Sequence, residues 1–155
     1  MIEKPKCIIK KISASETYKV RHPVLRTGKP IESCIFDGDE HENTFHLGLY
    51  IENKLAAVAS FLKNNNPLII EKHQYQLRGM AVIEEFQKKG LGKDILNFAE
   101  SLLKQENTEV IWCNAREIAV NFYKNCNYKI IGNTYTIKNI GLHYTMYKNI
   151  KTKKP

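Results

Sequence analysis

Between Arg78 and Lys93 the chain gathers residues suited to one kind of chemistry, the holding of a phosphorylated ligand by main-chain N–H groups. Arg78-Gly79-Met80-Ala81-Val82-Ile83 reads as a strand. After it comes Gln87-x-x-Gly90-x-Gly92, and Leu91 opens a helix. Glycine lets a backbone approach a ligand closely, and the first N–H groups of a helix have no intrahelical partner. Together with the positive end of the helix dipole they suit a phosphate or pyrophosphate. Two better-known phosphate loops fail the comparison. A P-loop requires Gly where Gln87 stands and Ser or Thr where Asp94 stands, and a dinucleotide fingerprint requires a third glycine. Taken alone, the turn is also compatible with a purely structural strand-to-helix connection.

The elements around the turn must position it. The helix after it runs to about Glu106, with Leu91, Ile95, Phe98, Ala99, Leu102 and Leu103 at the spacing of one buried face. Upstream, Cys7 to Ile12 reads as a first strand. Ser13-x-x-Glu16 is a capping-box signature for a helix ending near His22, ahead of Pro23. A loop at Arg26–Pro30 and an acidic segment at Asp37–Glu42 follow, either a wall of a substrate site or ordinary loop. Phe45, Leu47, Leu49 and Ile51 alternate as in a half-buried strand, Glu52-Asn53-Lys54 turns, and Leu55–Leu62 is a continuous apolar strand. Asn64-Asn65-Asn66-Pro67 is a surface loop, and His73–Ile83 leads into the glycine turn. Gly79 inside that strand signals a bulge or a close backbone approach.

Beyond the long helix, Glu109–Cys113 reads as a short strand ending at Asn114. Ala115 to about Cys126 reads as a helix with Ala119, Phe122 and Tyr123 on one face, and Asn127 is suited to a left-handed cap. Tyr128–Ile137 and Gly141–Tyr147 read as a closing antiparallel pair. The order implies a mixed α/β (α+β) fold: a mostly antiparallel sheet of about seven strands with helices on both faces. Residues 1–150 form one domain, followed by a basic tail at 151–155, and the excess of charge continues from Lys148 to the end as a frayed terminus.

The chain has 155 residues and a formal net charge of +8, from 24 Lys plus Arg against 16 Asp plus Glu. That excess favours anionic partners, among them a phosphorylated cofactor. Its basic residues are scattered, with no recognition helix and no interleaving with aromatics, so a bland basic surface is expected ahead of a nucleic-acid partner. No stretch is long and apolar enough to cross a membrane, and Glu3, Lys4, Pro5 and Lys6 do not read as a signal peptide. Cys7, Cys34, Cys113 and Cys126 lack metal-ligand spacing and read as thiols of a reducing compartment, three of them buried. The expectation is a cytoplasmic protein without a metal.

Four segments, in order, resemble the GNAT superfamily of N-acetyltransferases. These are the strand Leu77–Val82, the turn Gln87-x-x-Gly90-x-Gly92, the stretch Asn114-Ala115-Arg116 through Ala119-x-x-Phe122-Tyr123-Lys124-x-x-Asn127-Tyr128, and Gly141-Leu142-His143-Tyr144-x-Met146-Tyr147. The resemblance covers residues 43–148 well. Asn127 stands where the family usually has glycine, a change the left-handed region tolerates.

The resemblance implies acetyl-CoA as co-substrate and a primary amine as acceptor, with direct attack in a ternary complex. It assigns cofactor binding to Met80, Ala81, Val82, Gln87, Lys88, Lys89, Gly90, Leu91, Gly92, Lys93 and Asn114. Met80 and Val82 would hold the pantetheine arm through main chain, and an N–H at the strand end, Val82 being the choice, would face the thioester carbonyl. Tyr123 falls where the family often places the general acid for the departing thiolate; its alternative is a core tyrosine. Some members carry a glutamate on the central strand where this chain has Gln76 and Arg78, so His46, His73, Glu32 and Glu84 stay open as base candidates and none is assigned. A non-catalytic acyl-CoA sensor on the same fold is the competing function. A homodimer stays open, as do the acceptor and the length of the acyl group.

Overall fold

A computed structural model of the chain describes residues 6–151. The readings made for Glu3, Lys4, Pro5 and the tail beyond Lys151 lie outside them. The elements run β1 (Cys7–Ile12), α1 (Ala14–Leu25), β2 (Phe45–Ile51), β3 (Lys54–Lys63), β4 (Gln74–Val82), α2 (Leu91–Gln105), β5 (Val110–Arg116), α3 (Val120–Asn125), β6 (Lys129–Ile130), β7 (Tyr135–Ile137) and β8 (Gly141–Asn149). Short 3₁₀ turns occupy Ile31–Cys34, Glu84–Phe86 and Glu117–Ala119. The strands are hydrogen-bonded in the order β1-β2-β3-β4-β5-β8-β6, with β7 on β8, giving an eight-stranded mixed sheet. The described chain divides into two compact units, 6–62 with 79–99 and 63–78 with 100–151.

In the first unit β1, β2 and β3 form an antiparallel meander. Glu52 and Asn53, with φ of 46° and 69°, make the β2–β3 turn; positive φ at both central residues matches the right-handed twist of the strands. The capping box is formed as read, with Glu16 N–H donating to Ser13 Oγ at 3.2 Å and Ser13 N–H to Glu16 Oε1 at 3.2 Å. The helix end differs from expectation, because α1 continues through Pro23 to Leu25. Proline forfeits one hydrogen bond in a last turn that is closed by Arg26 N–H on the His22 carbonyl, 3.1 Å. Strand β2 is not half-buried: His46, Leu47, Gly48 and Leu49 are all inside, so alternation reports two buried faces of different chemistry. Val20, Val58 and Ala81 form a core cluster joined by Ile12, Val24, Leu25, Leu55 and Ile83.

Helix α2 buries Leu91, Ile95, Leu96, Ala99 and Leu103, while Phe98 is 36% exposed and Leu102 only partly buried. The stripe is therefore rotated from the one read by spacing, Leu96 taking the place assigned to Phe98. Full burial of each leucine or isoleucine contributes about 1.5–3 kcal/mol relative to exposure.

In the second unit β4 pairs parallel with β5 from Gln74↔Val110 to Leu77↔Cys113, and β5 pairs antiparallel with β8 as far as Arg116↔His143. Asn114 is strand as read, and Ala115 and Arg116 are strand too, not helix; their ladder to Tyr144 and His143 overrides helical propensity, and α3 starts only at Val120. The expected strand Tyr128–Ile137 is two short strands, β6 and β7, both on β8, which brings the total to eight. Asn127 has φ 71° and closes α3 as expected. Lys148 belongs to β8 and pairs with Glu100, and Lys151 pairs with Glu109, so the tail is not frayed at those positions.

Candidate active site

The strand-turn-helix unit forms as the sequence reading requires. The β4 register with β5 ends at Leu77, so the strand from Gly79 to Val82 goes on past its last β5 partner. At its far end Ile83 N–H donates to the Ala56 carbonyl at 2.8 Å, and the Gln87 side-chain amide donates to the Val82 carbonyl at 2.9 Å. Gln87 therefore uses its side chain to tie the turn to the strand end.

Lys88 and Gly90 both have positive φ, 63° and 80°. The chain reverses twice and enters α2 at Leu91, and the first helical hydrogen bond runs from Asp94 N–H to the Gly90 carbonyl, 3.1 Å. A helix starting there leaves the N–H groups of Leu91, Gly92 and Lys93 without intrahelical acceptors. A Cβ built on Gly90 meets nothing within 4 Å, so a side chain there would have room. Gln87, Lys88, Lys89, Gly90 and Lys93 are exposed, while Leu91 and Gly92 are buried. Lys54 and Lys89 lie over the Phe86 ring at 5.6 and 5.7 Å, and Lys54 is also ion-paired with Glu85 at 2.7 Å. N–H groups without intrahelical acceptors at the positive end of a 15-residue helix are suited to a pyrophosphate. On β4, Ala81 is buried, while Met80 and Val82 are partly exposed.

The remaining predicted residues lie in the second unit. Asn114 is an exposed β5 residue whose Oδ1 accepts from Thr145 Oγ1 at 3.3 Å. Tyr123 is 7% exposed, with ring contacts to Phe122 at 5.0 Å and Tyr128 at 5.7 Å. Burial pushes its phenol well above the ordinary tyrosine value, and Cys113 and Cys126 add to the shift. The hydroxyl is thus a proton donor throughout the neutral range.

Of the base candidates, Glu32, His73 and Glu84 are exposed and His46 is buried. Both His46 ring nitrogens are engaged. Nε2 lies 2.9 Å from the Asp39 carbonyl, which only accepts, so Nε2 donates; Nδ1 lies 2.6 Å from Ser60 Oγ. That side chain is a structural member of a buried network and is removed from the base candidates. Cys34, Cys113 and Cys126 are buried and Cys7 is exposed, with no disulfide among the described residues.

The reading from sequence missed Arg21. It has 0% exposure, forms a two-toothed ion pair with Asp39 (Nη1–Oδ2 2.7 Å, Nη2–Oδ1 3.0 Å), and donates to the Cys34 carbonyl and Ser60 Oγ. An arginine in a helix carries no mark of burial in sequence. The one signal was Gly79, whose neighbour turns out to be this guanidinium.

The acetyltransferase (GNAT) family model matches residues 12–128, and the chain belongs to that family. A curated relative, the uncharacterized N-acetyltransferase YitI of Bacillus subtilis (strain 168), is 36% identical over 144 residues, covering 93% of this chain and 97% of that protein. Solved structures share the fold at low identity. The ribosomal-protein-S18-alanine N-acetyltransferase from Escherichia coli superposes with a TM-score of 0.75 at 16% identity, covering 96% and 97% of the two chains. An aminoglycoside 6'-N-acetyltransferase complexed with coenzyme A gives a TM-score of 0.75 at 13% identity, covering 96% and 99%. Among the described residues no helix is long and apolar enough to cross a membrane.

Proposed function

We propose that this protein moves an acetyl group from acetyl-CoA to a primary amine by direct attack in a ternary complex. One observation carries the reading: the Gln87 side chain ties the end of β4 to the Lys88–Gly90 turn, from which α2 starts at Leu91 with its first N–H groups lacking intrahelical acceptors. In this reading the N–H groups from Lys88 to Lys93 receive the pyrophosphate, with the lysine side chains adding charge. Main chain at Met80 and Val82 holds the pantetheine arm, and Asn114 serves it from β5. Ala81 turns its side chain into the core and so fixes the strand's rotation about its axis.

The amine nitrogen attacks the thioester carbonyl, whose oxygen gains negative charge that the Val82 N–H stabilises. Collapse breaks the carbon–sulfur bond, and the thiolate takes the Tyr123 proton. A preorganised donor at an oxyanion is worth roughly 10²–10³ in rate. The acylated nitrogen sheds its extra proton to solvent water, and solvent returns one to the Tyr123 phenolate, so no side chain is given the role of base.

The test is a panel of amines incubated with acetyl-CoA while free thiol release is followed. At least one amine should accelerate release above the protein-free rate. An acyl-CoA sensor would bind the ligand and release no thiol with any of them.

A further inference from the structure

Strand Gly79–Val82 carries the main-chain groups assigned above to the acyl arm, and its far end is pinned by Gln87 and by Ile83. Its near end rests on the buried arginine. Arg21 Cζ lies 4.0 Å from the centre of the Phe36 ring. A Cβ added at Gly79 would lie 3.1 Å from Arg21 Nε and 3.2 Å from Phe36 Cε2. Gly79 also has φ of 63°, so the backbone there takes a course that a side chain would oppose. The guanidinium cannot yield. Four hydrogen bonds fix its two terminal nitrogens to Asp39, Cys34 and Ser60, and Ser60 and the Asp39 carbonyl are themselves held by His46. Arg21 Nε is buried without a hydrogen-bond partner. A buried ion pair of this kind adds little net stability compared with an apolar packing of the same volume. What it provides here is a rigid flat surface of fixed orientation, which a lysine cannot reproduce.

We infer that Arg21, clamped by Asp39 and stacked on Phe36, is a positioning residue that sets the course of β4 at Gly79 and thereby aims the Val82 N–H at the acyl carbonyl. This rests on the acetyl-CoA reading above. Pyrophosphate contacts at α2 lie beyond the Gln87 tie, so the aim at the carbonyl should change more than the affinity.

Arg21→Lys and Gly79→Ala test it against Leu47→Ala, a core change in the same unit chosen to lower the melting temperature by a similar amount. For each protein one measures the Kd for acetyl-CoA, the carbonyl stretching frequency of bound ¹³C-labelled acetyl-CoA, and kcat per folded molecule. The wild type should shift the carbonyl to lower frequency. Both variants should lose at least half of that shift and at least tenfold in kcat, with Kd changed less than threefold, while Leu47→Ala keeps the shift and kcat. Unchanged carbonyl frequency in both folded variants, or equal losses in Leu47→Ala, would overturn the positioning role alone. If Arg21→Lys does not fold, Gly79→Ala decides. Failure of the wild type to bind acetyl-CoA would overturn the functional reading, and this inference with it. The frequency needs binding only, so the inference stays testable if no acceptor amine turns over.

Discussion

Gly90→Asn separates what the turn needs for folding from what it needs for a ligand. Gly90 has φ of 80°, a region that costs an ordinary residue about 1–2 kcal/mol. Asparagine tolerates it, and this chain already places Asn53, Asn107, Asn127 and Asn139 at φ of 63–71°. Since a Cβ at Gly90 meets nothing within 4 Å, no packing cost is added. The expected loss of stability is below about 1 kcal/mol, which for a chain of this size is a fall in Tm of at most about 2–4 °C. Cofactor binding should suffer more, because the new side chain would stand at the turn proposed to hold the pyrophosphate. We expect acetyl-CoA affinity to fall at least tenfold, about 1.4 kcal/mol. Differential scanning calorimetry and isothermal titration report the two effects on one sample. A folded Gly90→Asn protein that binds acetyl-CoA as tightly as wild type would refute the phosphate role of the turn.

Gly92→Val, one residue into the helix, should likewise weaken acetyl-CoA at least tenfold, about 1.4 kcal/mol, by titration. Tyr123→Phe should lower kcat about 10- to 100-fold with little change in cofactor affinity. Burial makes this phenol a weaker acid than usual, which places it at or below the bottom of the general-acid range. A lower Tm with kcat per folded molecule unchanged would make Tyr123 structural. Burial by itself would raise the Asp39 carboxyl, but the Arg21 hydrogen bonds, the Phe36 N–H and the Arg21 charge together hold it below its ordinary value. Its folded value being the lower one, it contributes stability above the unfolded value of about 3.9 and loses it as pH falls through the folded value. Asp39→Asn should therefore flatten the acid limb of a Tm-against-pH curve while lowering Tm at neutral pH, and an unaltered limb would contradict the pairing. Thiol titration of the native protein should find Cys7 reactive at once, and Cys34, Cys113 and Cys126 only on unfolding.

What was legible in the sequence follows physical range. The capping box, the Asn127 cap and the glycine turn are local, and each involves residues that meet within one or two turns of chain. All three stand where expected. Long-range pairing was not legible. Ala115 and Arg116 stay extended because β8 supplies their hydrogen bonds, and β8 lies some thirty residues on. Phe98 and Leu96 exchange roles because a helical stripe read by spacing fixes its phase only to within a neighbouring position. In the candidate site the same division holds. The glycine turn proposed to hold the pyrophosphate was visible because its residues are contiguous. Arg21 was invisible because its partners Cys34, Asp39 and Ser60 lie 13 to 39 positions further along the chain.

The central claim is that the β4 end and the α2 entrance hold the coenzyme. Amide chemical-shift mapping of ¹⁵N-labelled protein on addition of acetyl-CoA tests it most directly. The largest shifts should fall at Met80, Val82 and Lys88 through Lys93 and saturate together. Largest shifts at other positions, or none at millimolar ligand, would contradict it.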